Sequence, residues 1–276
     1  MATTQVNGVS VGYDDRSDGE TLVLVHGHPF NRSMWRPQVD FAVAAGWRVV
    51  AADLRGYGES TVVPGRTTLD VFARDIAGLL DQLGVPRFVL GGLSMGGQIV
   101  MECLRQFPER ISGVLLADTS APAETDLGRK LRNELADRLL REGMAGYAEE
   151  VLPKMLAPRN ISALPEIARQ VSIMMRTTSP VGAAAALRGR AERPDYVETL
   201  RRVEVPTLVV VGRDDEFTPI GDAELITECV PGATLVVVDG AGHLPNLERE
   251  AVFNAALGRL LQHVTAVGGR QRRASS

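Results

Sequence analysis

Cysteine is nearly absent from this chain of 276 residues, with only Cys103 and Cys229, and the two have no paired spacing and no partnering histidine cluster. That excludes a disulfide framework and a cysteine-based zinc site. Both are read as small buried hydrophobes in a reducing, cytoplasmic setting. Basic excess is missing too: 30 Lys and Arg stand against 34 Asp and Glu. A nucleic-acid partner would ordinarily demand a basic domain or stripe, so none is expected. No apolar run approaches the ~18 residues of a membrane span. Met1 to Asn7 offers neither a basic n-region nor an apolar h-region, so neither a membrane partner nor a secretory signal is expected.

What is present is a regular alternation of apolar runs and helical stretches. Residues 21–25, 48–52, 87–90, 111–117, 207–211 and 234–238 are short, β-branched and almost free of polar residues. Continuous apolar strands of this kind are buried on both faces, as in a parallel sheet covered by helices. Between them, 33–45, 69–83, 94–107, 220–230 and 250–263 read as helices. The order predicts an α/β fold: a doubly wound, mostly parallel sheet. Residues 5–11 are expected to add one antiparallel edge strand.

The alternation fails between Ala117 and Thr207. Helical stretches at 126–141, 144–156, 164–175 and 180–190 follow one another with no strand, far too long for a simple crossover. We expect a core of residues 1–118 and 194–265, a helical cap of residues 119–193 over the carboxyl ends of the strands, and a disordered tail from 266 to 276. The cap holds 12 Lys and Arg against 9 Asp and Glu, whereas the remainder is acidic, and it holds four of the eight Met. These residues read mainly as solvated outer faces and the cap's own core. The alternative is an adaptable apolar ceiling with basic groups facing an anionic substrate.

The chemistry centres on Gly92-Leu93-Ser94-Met95-Gly96, between an apolar strand and a buried helix. Serine between glycines at such a junction forms a strained turn that lifts the hydroxyl above the sheet edge. A nucleophilic serine needs a base and an orienting acid. His243, in the loop after the last strand, is the base candidate. His263 is expected to be exposed on the last helix and His26 to make local hydrogen bonds. The acid is expected after the strand at 207–211, where Asp214 and Asp215 stand together; Asp118, after the fourth strand, is a third candidate. The N–H groups of Met95 and His28 are candidates for an oxyanion hole. The His28 side chain reads as passive rim, with a substrate hydrogen bond as the alternative. Phe217 and Leu244, beside acid and base, are candidate pocket walls. His26 and His28 lack a third ligand, so neither a metal nor an organic cofactor is expected.

These stretches resemble the α/β-hydrolase superfamily nearly end to end. The resemblance rests on His26-Gly27-His28-Pro29, Asp53-Leu54-Arg55-Gly56-Tyr57-Gly58-Glu59-Ser60, the Ser94 turn, the Asp215 turn and the His243 loop. It implies the catalytic order Ser94, Asp215, His243, and its Gly-x-x-Asp-x-x-x-Pro pattern selects Asp215 over its neighbour. Residues 53–60 then read as a structural turn. Thr178-Ser179-Pro180-Val181-Gly182, His243-Leu244-Pro245-Asn246-Leu247-Glu248 and Val252-Phe253-Asn254 are similar to 3-oxoadipate enol-lactonases. The loop at His26 resembles esterases and cofactor-free haloperoxidases instead; a proline like Pro29 helps position peroxide in the perhydrolase-active relatives. Haloalkane dehalogenases and epoxide hydrolases carry Asp where this chain has Ser94.

The resemblance implies a serine hydrolase of a small carboxylic ester or lactone. Alternatives are an enol-lactonase on an anionic lactone, a perhydrolase or haloperoxidase side activity, and a non-hydrolytic biosynthetic enzyme or ligand receptor. The expected partner is a small molecule; the sequence does not fix an oligomeric state.

Overall fold

A computed structural model describes residues 2–274, with side chains through residue 269. Among the described residues, eight strands form one sheet: β1 (Ala2–Val6), β2 (Val9–Arg16), β3 (Thr21–Val25), β4 (Arg48–Ala52), β5 (Phe88–Leu93), β6 (Ile111–Ala117), β7 (Thr207–Gly212) and β8 (Thr234–Val238). Their order is β1-β2-β4-β3-β5-β6-β7-β8. β1 pairs antiparallel with β2, and β2 antiparallel with β4; every other pairing is parallel.

The single edge strand expected at 5–11 is instead a hairpin. Asn7 and Gly8 adopt φ of 47° and 79°, the two left-handed positions of a two-residue turn. Asn-Gly is the strongest short hairpin signal, and here it divides the segment into β1 and β2. β5 also runs further than its apolar run, through Gly91 and Gly92 to Leu93. A Cβ on Gly91 would sit 3.1 Å from Leu24 and Leu115 side-chain carbons, so the glycine reflects tight packing within the strand.

The central strands are buried on both faces. In β3, Leu22 and Leu24 join one apolar cluster, while Val23 and Val25 join another. α1 (Arg36–Ala44) and α12 (Glu250–Ala274) contribute Val39, Phe253 and Leu257 to the first cluster. α2 (Leu69–Gln82), α3 (Met95–Gln106) and α10 (Ile220–Cys229) contribute Phe72, Ile99 and Ile226 to the second. Cys103 and Cys229 are both buried and free.

No strand lies between β6 and β7. That stretch holds α4 (Asp126–Glu142), α5 (Ala145–Met155), α6 (Pro158–Ala163), α7 (Pro165–Thr177), α8 (Pro180–Arg190) and the short α9 (Val197–Leu200). Met144, Met155, Met174 and Met175 are buried in the first apolar cluster, continuous with the core. α8 docks backbone against backbone. A Cβ on Gly182 would lie 2.0 Å from the Gly56 carbonyl, and one on Gly189 would lie 1.7 Å from that of Thr67. The Thr67 N–H donates to the Ala185 carbonyl at 3.0 Å. The run of small residues from Gly182 to Ala186 is thus explained by close approach to the loop that follows β4.

The expected disordered tail differs from the structure as far as residue 274, because α12 continues to Ala274. Val264 is buried, and the Thr265 hydroxyl donates to Glu20 at 2.9 Å, which anchors the helix beyond residue 263. Residues 275 and 276 lie outside the described residues. Among the described residues no helix is long and apolar enough to cross a membrane.

Candidate active site

β5, β7 and β8 are linked through parallel pairings, so the loops carrying Ser94, Asp215 and His243 all leave the same edge of the sheet. Ser94 has φ of 58° and ψ of −118°, a left-handed conformation costly for a residue with a Cβ. Its surroundings hold it there. The Ser94 N–H donates to the Ala117 carbonyl at 2.9 Å, and the Thr119 hydroxyl donates to the Ser94 carbonyl at 2.8 Å. A Cβ on Gly92 would lie 2.3 Å from the Gly96 carbonyl, and one on Gly96 would lie 2.2 Å from that of Val25. Both glycines are therefore required for the turn to close against its neighbours.

Met95 is the first residue of α3, so its N–H has no intrahelical acceptor. The loop after β3 runs alongside: a Cβ on Gly27 would sit 3.3 Å from that of Ser94. His28 follows directly.

The structure brings Asp215 and His243 together. His243 Nδ1 lies 2.8 Å from Asp215 Oδ2, with both residues buried. Asp215 also accepts from the Thr218 hydroxyl at 2.5 Å and the Phe217 N–H at 2.8 Å. Burial alone would raise the Asp215 pKa, but His243 and these donors more than offset it and hold the carboxyl below its ordinary range. The neighbouring candidate points elsewhere: Asp214 accepts from Arg159 at 3.0 Å on the exposed side.

Asp118 lies beneath this pair. Its Oδ1 accepts the Gly212 N–H at 2.9 Å, and its Oδ2 is buried without a partner. Burial, and then the Asp215 charge, push its pKa well above the ordinary carboxylate range. Donor atoms of Asp118, Asp215 and His243 fall within 4.8 Å of one another. His243 Nδ1 is already bonded to Asp215 and the Asp118 carboxyl favours its protonated form, so the trio is poorly suited to hold a cation.

His28 is less passive than a rim residue. Its Nδ1 lies 2.7 Å from the Tyr57 hydroxyl, its Nε2 is buried without a partner, and Tyr147 packs at 6.3 Å between ring centroids. Burial, then the charges of Arg190 and Arg132, hold its pKa well below the ordinary histidine value, so the ring is neutral. Residues 53–60 are largely structural, as expected. The Asp53 carboxylate accepts the Arg32 and Glu59 N–H groups, and the Ser60 hydroxyl donates to the Asp53 carbonyl. Tyr57 is the exception, since it reaches His28. His26 accepts the Leu54 N–H at 2.9 Å, and His263 is exposed on α12. Neither joins the site.

The two candidate pocket walls separate. Phe217 is 43% exposed, with its ring 5.1 Å from that of His243. Leu244 has no exposed surface and sits in the main apolar cluster.

Sequence reasoning missed Glu248. This buried carboxylate accepts the Gly242 and Ala157 N–H groups, both at 2.8 Å, and the Asn160 side-chain amide at 2.6 Å. It ties the His243 loop to α6. An acid five residues after His243, on the turn of α11 (Pro245–Glu248), was the available signal. The enol-lactonase-like stretch at Thr178 also meets the loop after β3: the Thr178 hydroxyl donates to the Pro29 carbonyl at 2.8 Å.

The sequence pattern of the alpha/beta hydrolase fold matches residues 20–250. The chain belongs to that family. It is 30% identical to 3-oxoadipate enol-lactonase 2 of Acinetobacter baylyi over 243 residues, 88% of either chain. In structure this hydrolase-fold chain resembles a thermophilic esterase from Thermogutta terrifontis, with a TM-score of 0.90 and 36% identity, covering 95% of this chain and 97% of the other. It also resembles the enol-lactonase from Burkholderia xenovorans, with a TM-score of 0.88 and 26% identity, covering 95% and 100%.

Proposed function

We propose that this member of the family is a serine hydrolase that cleaves a small carboxylic ester or lactone through an acyl-enzyme. The observation that carries the reading is the buried His243–Asp215 hydrogen bond at the sheet edge that also presents the strained Ser94.

Asp215, held ionised, accepts from His243 Nδ1–H and leaves Nε2 free to act as base. His243 removes the Ser94 hydroxyl proton as Oγ attacks the substrate carbonyl. The N–H groups of Met95 and His28 receive the oxyanion; one such donor is typically worth about 3 kcal/mol of barrier. The imidazolium then protonates the leaving alkoxide, which stays attached if the substrate is a lactone. Water, activated by the same histidine, attacks the acyl-enzyme and releases the acid with Ser94 restored. Residues 119–193 act as a cap that shapes the acyl pocket, and Phe217 forms part of its exposed margin.

The esterase and enol-lactonase relatives support this class of substrate. Turnover of p-nitrophenyl acetate by wild type and Ser94→Ala tests it. Activity in wild type that disappears in the variant is expected. Equal rates in both would overturn the covalent route.

A further inference from the structure

Arg190 closes α8 and is buried, yet it has no carboxylate partner among the described residues. Among the described residues its side chain makes one hydrogen bond, from Nε to the Gln98 side-chain oxygen at 3.0 Å. A guanidinium carries five N–H donors, so the planar fork of its two terminal nitrogens is left without an acceptor. Its nearest neighbours offer little relief. The charges of Arg132 and Arg193 disfavour its charged form, while the Tyr57 and Tyr147 hydroxyls favour it. Arg132 is paired with Glu124, and the Arg193 Nε is satisfied by the Pro122 carbonyl. Arg190 is thus a largely buried residue whose guanidinium has no counter-charge among the described residues, a state that a bound anion would relieve.

Its position gives the fork a purpose. The Gln98 N–H donates to the Ser94 carbonyl at 3.1 Å, so the residue that tethers Arg190 sits one helical turn beyond the proposed nucleophile, about 6 Å along α3. His28 is also near, with a buried Nε2 that lacks a partner and a ring that feels the Arg190 charge. Tyr57 joins the two, by hydrogen bond to His28 and by proximity to Arg190. Near the serine turn, Arg190 thus leaves its terminal nitrogens without a protein acceptor among the described residues, and His28 leaves a buried Nε2 open.

We propose that Arg190 is a specificity-determining residue that binds a carboxylate of the substrate, so that the enzyme prefers esters or lactones whose acyl part carries a second, free carboxylate. This rests on the serine-hydrolase reading above for the chemistry, though not for the binding. The guanidinium fork takes the carboxylate by two parallel hydrogen bonds, the geometry in which Arg most strongly discriminates a carboxylate from a neutral group. Gln98 holds Nε and thereby fixes the plane of the fork relative to Ser94.

The test pairs two esters of equal acyl length, p-nitrophenyl hydrogen glutarate and neutral p-nitrophenyl pentanoate, with wild type, Arg190→Met and Arg190→Lys. Calorimetric binding of glutarate to each protein runs alongside. Wild type is expected to favour the anionic ester in kcat/KM, and Arg190→Met to lower the anionic-to-neutral ratio by at least about tenfold, mainly through KM. Arg190→Lys should recover part of the ratio. Glutarate should bind wild type and not Arg190→Met. The melting temperature of Arg190→Met should equal or exceed that of wild type, because an apolar side chain replaces an unpaired buried charge. An unchanged ratio, or a lower melting temperature with both esters lost equally, would overturn the proposal. If neither ester is turned over, the serine-hydrolase reading fails, and glutarate binding still decides the role of Arg190. Ser94-dependent turnover with no anionic preference would sink the carboxylate proposal alone.

Discussion

His243 Nδ1 and Asp215 Oδ2 meet at 2.8 Å in a buried setting, and Asp215 is itself held by the Thr218 hydroxyl and the Phe217 N–H. The acid is thereby fixed as an acceptor whose only proton-bearing partner of catalytic use is the imidazole. Asp215→Asn would present an amide donor or a neutral acceptor in its place and favour the wrong tautomer. We expect kcat on an activated ester to fall on the order of 10⁴-fold. Asp214→Asn, which removes an exposed contact to Arg159, should stay within a few-fold of wild type. Steady-state kinetics of the two variants side by side check the assignment.

The pKa values of Asp118 and Asp215 are displaced in opposite directions. The Asp215 pKa lies below its ordinary 3.8, so its contribution to stability is full above pH 3.8 and is lost as pH falls through the lower folded value. The Asp118 pKa is raised above 3.8, so its contribution is present below that pH and fades as pH rises toward the folded value. Asp118→Asn cannot ionise and escapes only the second effect. Urea denaturation from pH 3.5 to 8 should show wild type losing ground to the variant as pH rises, by up to about 1.4 kcal/mol per pH unit, with a plateau above the folded pKa of Asp118. A difference independent of pH would contradict the raised value.

Ser94 and Gly96 bracket a strained turn, and their substitutions should act in opposite directions. Ser94→Gly relieves a left-handed φ of 58° and should stabilise the fold by about 1 kcal/mol while abolishing turnover. Gly96→Ala places a Cβ 2.2 Å from the Val25 carbonyl, where neither backbone can yield. It should cost more than about 4 kcal/mol or prevent folding. Thermal and chemical denaturation measure both.

Glu248 holds the His243 loop against α6 through several N–H donors. Glu248→Gln replaces one carboxylate oxygen with a donor that faces other donors. We expect a loss on the order of 2 kcal/mol in stability, together with a fall in kcat and little change in KM. Unchanged kcat at full stability would show that the loop keeps its place unaided.

Much of this arrangement is legible in the sequence because local rules decide it. Apolar runs mark β3 to β8, and a serine flanked by Gly92 and Gly96 marks the turn after β5. The position of His243 after the last strand follows from the same order. The choice between Asp214 and Asp215 was not decided by spacing, since it depends on which side chain turns inward. The division of residues 2–16 into two strands was written in Asn7-Gly8 but hidden by the apolar alternation around it. Arg190 and Glu248 escaped for a different reason. Each is a charged residue on a helix, where the ordinary fate is solvent. Only the docking of α8 through Gly182 and Gly189, and of α6 beside the His243 loop, buries them.

Covalent labelling tests the central claim most directly. The protein is incubated with a fluorophosphonate probe and the modified peptide is identified by mass spectrometry. The account predicts a single adduct on Ser94, absent from Ser94→Ala and strongly slowed in Asp215→Asn. No adduct on wild type that also fails to turn over any ester or lactone, or an adduct that persists in Ser94→Ala, would contradict it.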